Sequence, residues 1–241
     1  MKTKGQVTIF IIVAILLVAL ALSYFIFRDS IKQNTLPSEF SEVQVFVQDC
    51  VDSVSENAVL YSGQKGGIYG PNETTSEGIS KYILDSQDKY FPHISMVEED
   101  LALEFNDLFL TCLNNFSGFE DLSIETDLLE TEVFIENEKV YFEINYPIII
   151  SKGEKEIVLD EFKTKVSLDY FNFSSAVEEF MINQRTSSGI CLTCLFDVGE
   201  RYDVEIDMLD SGDSRTTIFM FYDEEIKLND EVFEFRFANE V

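Results

Sequence analysis

A single histidine in 241 residues leaves little room for acid–base chemistry near neutral pH. His93 follows Pro92 in an expected loop, and without it no Ser-His-Asp or Cys-His relay can be assembled, nor any histidine-rich metal cluster. Proline is equally scarce, with four residues and none beyond Pro147, so none follows Cys191 and Cys194 to form the cis-proline loop of a thioredoxin-like oxidoreductase. Basic residues are few as well: 17 Lys and Arg stand against 45 Asp and Glu, a net charge of -28. Such a field repels nucleic acid and anionic membrane surfaces, and it attracts cations or a basic partner. Its plainest physical role is to keep a surface domain soluble. Neither an internal repeat nor a low-complexity linker is visible. With 22 Phe and 10 Tyr, the chain has ample material for a core and is not a disordered acidic tail.

Charge is also missing locally. From Val7 to Phe27 the sequence VTIFIIVAILLVALALSYFIF has no charge, no proline and no glycine. About 20 helical residues at ~1.5 Å each span the ~30 Å hydrocarbon core, so this segment is expected to be a transmembrane helix. Lys2 and Lys4 precede it, whereas Arg28 is followed at once by Asp29, which keeps the N-terminus cytoplasmic. All 45 acids lie beyond Arg28 with 14 basic residues, so the remainder carries a net charge of -31 and is expected outside the cell.

Three readings of this segment compete. A secretory signal would be cut after Ala19-Leu20-Ala21, although the apolar run continues to Phe27. An uncleaved anchor accounts for the physics without further assumptions. The third reading rests on Lys4-Gly5-Gln6-Val7-Thr8-Ile9-Phe10, a short basic leader, a glycine and then an unbroken apolar helix. This resembles the class III signal of archaeal type IV pilin-like proteins, over about the first 28 residues. The resemblance implies cleavage by a prepilin peptidase between Gly5 and Gln6 and a mature chain that begins at Gln6 and keeps its helix. It also implies self-association into a filament or with related surface proteins. Phe10 stands at the fifth mature position, where many bacterial pilins carry Glu and archaeal members often do not.

Beyond the apolar segment, Pro37 breaks the helix and an amphipathic helix is expected from Ser38 to Ser62, with Phe40, Val43, Val47, Cys50, Val51, Val54, Ala58 and Tyr61 at helical spacing. Gln64 to Asn72 reads as a loop, Glu77 to Ser86 as a short helix, and Ser95 to Asn115 as a helix bearing Leu101, Phe105, Leu108 and Cys112. The period then changes from 3.6 to 2. Strands are expected around Glu132–Ile135, through Val140, Phe142, Ile144 and Tyr146, and through Phe162, Val166, Leu168 and Tyr170. Ser175-Ala176-Val177-Glu178 reads as a capping box opening a helix to Arg185. Strands are expected again through Tyr202, Val204, Ile206 and Met208, from Thr216 to Tyr222, and through Phe233, Phe235 and Phe237. The fold class is α+β: a transmembrane helix, amphipathic helices, then mainly antiparallel sheet with one further helix. The divisions are residues 1–5 (leader), 6–28 (transmembrane helix), 29–116 (helical part) and 117–241 (β-rich part). A hydrophobic helix carrying a mainly β head also resembles pilins in outline.

All four cysteines lie beyond the apolar segment, which suits an oxidising compartment. Cys50 and Cys112 each sit on the apolar face of an expected helix and can meet where the two pack, although four cysteines allow three connectivities. Cys191-Leu192-Thr193-Cys194 has oxidoreductase spacing, but Leu195-Phe196-Asp197-Val198-Gly199 reads as non-helical, so a structural short-loop disulfide is expected there. Only that one pair has zinc-ligand spacing. Asp207, Asp210 and Asp213 around Gly212 miss an EF-hand spacing and suit a hairpin turn. Paired carboxylates are inevitable among 45 acids and say nothing about glycosidase chemistry. Asn72-Glu73-Thr74, Asn115-Phe116-Ser117 and Asn172-Phe173-Ser174 are N-glycosylation sequons. The expectation is a membrane-anchored, non-enzymatic extracellular glycoprotein with no cofactor, in contact with membrane lipid through its helix. The alternatives are a monomeric binding or sensor ectodomain and a tethered thiol oxidoreductase.

Overall fold

The computed structural model describes residues 38–67, 74–84, 89–90, 92–185, 187, 189–212 and 216–240. Residues 43–241 make one compact unit. Gly5, Gln6 and the Val7–Phe27 segment lie outside the described residues, and none of the described helices is long and apolar enough to cross a membrane.

Among the described residues the fold is α+β, with four helices and two main antiparallel sheets. Helix α1 (Ser38–Lys65) buries Val43, Val47, Cys50, Val51, Val54 and Ala58, as its spacing predicts, whereas Tyr61 is 49% exposed. Near its end Gly63 lies against the Phe233 ring, where an added Cβ would come within 2.6 Å of a ring carbon. Gly67 then turns the chain with φ 72° and donates to Ser62 O at 2.7 Å. No helix forms over 77–84. There Thr75 Oγ1 accepts from the backbone N–H groups of Glu77 and Ile79, closing a tight turn in place of a helical one. Tyr82 N–H then donates to Ala238 O at 2.8 Å, and a two-residue ribbon of β1 (Ile83–Leu84) and β2 (Lys89–Tyr90) follows.

Helix α2 (Ile94–Leu113) buries Val97, Leu101, Phe105, Phe109 and Leu113. His93 is its N-cap, accepting the Ser95 N–H on Nδ1. A short 3-10 turn, Asn114–Phe116, ends it. The first sheet is built on β5 (Lys139–Lys152), which pairs along one edge with β6 (Lys155–Ser167). Its other edge is shared by β4 (Glu130–Glu136) and the shorter β3 (Ser123–Thr126). Val140, Phe142, Ile144, Tyr146, Ile148 and Ile150 of β5 are all buried on one face, under α2.

Two helices, rather than one, separate this sheet from the next. Helix α3 (Tyr170–Gln184) starts before Ser175 because Asp169 Oδ1 accepts the Asn172 N–H at 2.9 Å, so Ser175 lies inside the helix and Tyr170 leaves the β pattern. Helix α4 (Leu192–Tyr202) occupies residues that read as irregular and as the start of a strand. The second sheet is a meander of β7 (Glu205–Asp210), β8 (Thr216–Leu228) and β9 (Glu231–Glu240). Phe180 of α3 packs on Phe219 at 4.9 Å between centroids, and Phe173 packs on Phe233 at 5.0 Å. Each such buried aromatic contributes about 2–3 kcal/mol of hydrophobic stabilisation. The β8–β9 turn uses Asn229 (φ 47°) and Asp230 (φ 66°), both in the left-handed region that a two-residue hairpin demands. Asn229 Nδ2 also donates to Asn57 Oδ1 at 2.8 Å, docking the hairpin on α1.

Candidate functional site

The four cysteines form two disulfides. Cys50 joins Cys112 across α1 and α2, with Cα atoms 5.9 Å apart, and Cys191 joins Cys194 with Cα atoms 5.2 Å apart. No cysteine is free. The first bond is built by the core: Cys50 is buried on the face that carries Val47 and Val54. Its role is mechanical.

The second bond sits at a corner with more chemical potential. Helix α4 begins at Leu192, so Cys191 is its N-cap, and Cys191 Sγ accepts the Cys194 N–H at 3.3 Å. The non-helical expectation for Leu195–Gly199 is therefore corrected. Leu195 and Val198 are buried one turn apart, and their spacing was the helical signal, obscured by Gly199 and by the alternation that begins at Tyr202. The loop before the disulfide is held from behind by Gln184, which is only 7% exposed. Its Oε1 accepts the Cys191 N–H at 2.8 Å and its Nε2 donates to Gly189 O at 2.9 Å. No sequence pattern identifies such a clamp, because its partners are main-chain atoms brought close by the fold.

A helix N-terminus favours a thiolate, which is the reactive form in disulfide exchange. The rest of this corner works the other way. A cleft of about 910 Å³ beside α4 is lined by Glu200, Asp203, Glu205, Asp223, Glu224 and Glu225 together with Leu195 and Phe196. Negative charge of this density disfavours a second anion. Nearby, burial and hydrogen-bonding carboxylates, above all Asp207, push the Tyr222 phenol up to about 12. Among the described residues no group of three or more His, Cys, Asp or Glu is arranged to hold a metal ion, and no peptide bond is cis. Asp207 accepts from Tyr222 Oη at 3.2 Å, Asp210 accepts the Gly212 N–H at 2.9 Å, and Asp213 lies outside the described residues.

The α3–α4 pair is further tied by Asn172, whose Nδ2 donates to Tyr202 O at 2.9 Å, and by Glu179, which accepts from Tyr202 Oη at 3.0 Å and pairs with Arg201. Burial first, and then Glu179, raise the Tyr202 pKa. Of the sequon residues, Asn115 is exposed, Asn172 is half-buried, and Asn72 lies outside the described residues. Comparison with family models, with curated proteins and with solved structures gives no match to this chain.

Proposed function

We propose that the chain is a non-enzymatic surface protein, held in the membrane by Val7–Phe27 with its acidic domain outside, and that it serves as a pilin-like filament subunit or minor component. The observation that carries the external placement is the complete pairing of four cysteines in two disulfides, because thiols stay reduced in the cytosol. A net charge of -31 beyond Arg28 suits a soluble domain facing the medium. The pilin-like part rests on Gly5-Gln6 before an unbroken apolar run, and on a long amphipathic helix followed by antiparallel sheet. Mass spectrometry of the native N-terminus tests it. A chain beginning at Gln6 is expected; an intact leader would remove the pilin reading, and a start at Leu22 would remove the anchor as well.

A second reading has one specific observation in its favour, the placement of Cys191 at the start of α4, which suits a tethered thiol oxidoreductase. The acidic cleft and the lack of any proline beyond Pro147 weigh against it. Insulin reduction by the purified domain, with Cys191→Ser as control, decides between the two. Activity that the substitution leaves unchanged ends the oxidoreductase reading.

A further inference from the structure

Two of the three sequons lie within the described residues, and their surroundings differ. Asn172-Phe173-Ser174 is in the first turn of α3. There Asn172 Nδ2, the atom that would accept a sugar, already donates to Tyr202 O, and its main-chain N–H is held by Asp169. Phe173 is buried against Phe233, and Ser174 Oγ donates to Phe171 O at 3.0 Å. The Asn172 amide nitrogen and the Ser174 hydroxyl are thus committed to the junction with α4 and to the helix.

Asn115-Phe116-Ser117 is built the opposite way. It lies in the turn leaving α2, where Asn114 and Asn115 take φ of 44° and 50°, a left-handed conformation that asparagine tolerates better than most residues. The Phe116 ring is buried and packs on Phe46 at 6.3 Å between centroids, so it anchors the turn while its two neighbours stay exposed. Within the described residues no hydrogen bond holds the Asn115 carboxamide. Ser117 Oγ accepts from Asn114 Nδ2 at 2.8 Å, which fixes the hydroxyl in the turn. Beyond it, a Cβ added at Gly118 would meet no atom within 4 Å apart from its chain neighbours.

We infer that, of the two described sequons, Asn115 is N-glycosylated in the folded domain and Asn172 is not, an inference that rests on the external placement proposed above. The co-reactant is a sugar carried on a lipid phosphate. Asn115 Nδ2 forms a bond to the anomeric carbon as that carbon's bond to the phosphate oxygen breaks. The lipid phosphate leaves with the electron pair, the nitrogen gives up one proton to a base on the transferase, and nothing is oxidised or reduced. At Asn115 the transfer displaces no buried atom. At Asn172 it would require breaking the bond to Tyr202 O and opening the α3–α4 junction.

The test uses the full chain purified from its native host and digested with a protease that cuts after Asp and Glu, which puts Asn115 and Asn172 on separate peptides. The expected result is a hexose-containing mass increment on the Asn115 peptide and an unmodified Asn172 peptide. The increment should disappear in Asn115→Gln and also in Ser117→Ala, which leaves the left-handed asparagine in place. In the same sample a membrane-impermeant amine reagent is applied to intact cells and read at Lys163, whose side chain is 62% exposed. A bare Asn115 with Lys163 labelled overturns the inference and leaves the external placement standing. A bare Asn115 with Lys163 unlabelled overturns both, and sugar on Asn172 overturns the selection of one sequon over the other.

Discussion

The two disulfides are the same bond doing different physical work. Cys50 and Cys112 are 62 residues apart, and their bond ties the buried face of α1 to α2. Cys191 and Cys194 are three residues apart, and theirs ties the first turn of α4 to its own cap. By loop-closure entropy the first removes about 4 kcal/mol of conformational freedom from the unfolded chain and the second about 2 kcal/mol. The long-range bond therefore stabilises the whole domain. The local one shapes a corner that Gln184, Asn172 and Glu179 already hold by hydrogen bonds.

The largest expected effect is loss of the first bond. Replacing both Cys50 and Cys112 by alanine should cost about 3–4 kcal/mol and lower Tm by about 10 °C, measured by thermal or urea unfolding. Replacing both Cys191 and Cys194 should cost about 1–2 kcal/mol. If the second double variant proves as damaging as the first, the α3–α4 corner is the true clamp and the comparison inverts. Graded reduction followed by alkylation gives an independent ordering. Cys50 is 3% exposed, so Cys191–Cys194 should open at lower reductant concentration.

Asn172→Ala is the next step down. It removes the bond to Tyr202 O and leaves that carbonyl, part-buried at the junction, without its donor, at a cost of about 1 kcal/mol. A drop in urea midpoint of that size, with Cys191–Cys194 then opening more readily, would show that hydrogen bonds hold this corner. An unchanged midpoint would assign the holding to Leu195 and Val198.

The same contrast separates what the sequence makes legible from what it hides. Cys50 and Cys112 could be matched because each lies on an apolar helical stripe, a pattern that survives without coordinates. Strands β5 and β9 are legible for the same reason, since period-2 alternation is local. The corner is hidden because its determinants are not periodic. Asp169 starts α3 through one side-chain bond, and α4 is an 11-residue helix whose Gly199 packs on Val204 O. Thr75 similarly diverts 77–80 from helix into a turn with two bonds from one hydroxyl. The sequons show this at the level of a single atom: both read N-F-S, and only the fold engages one acceptor nitrogen and frees the other.

The smallest expected effect comes from two buried polar side chains, one in each region. Gln184, beside the local disulfide, is neutral and bonded at both ends of its amide. Glu104, on the α2 that the long-range disulfide anchors, is 8% exposed, and burial first, then the like charge of Asp107, raise its pKa above the ordinary 4.5, against an opposing pull from Lys65. The folded state thus holds this proton to higher pH than the unfolded state does. In that window the native chain binds more protons, so the contribution of Glu104 to stability is fullest below about pH 4.5 and declines as pH rises through the raised value. Glu104→Gln removes the titration and mimics the neutral solution found at Gln184. Its stability relative to the parent should rise between pH 4 and pH 7, read as a growing difference in urea midpoint. A difference that shrinks over this range would mean that attraction to Lys65 outweighs burial, and that the two regions treat buried polarity alike.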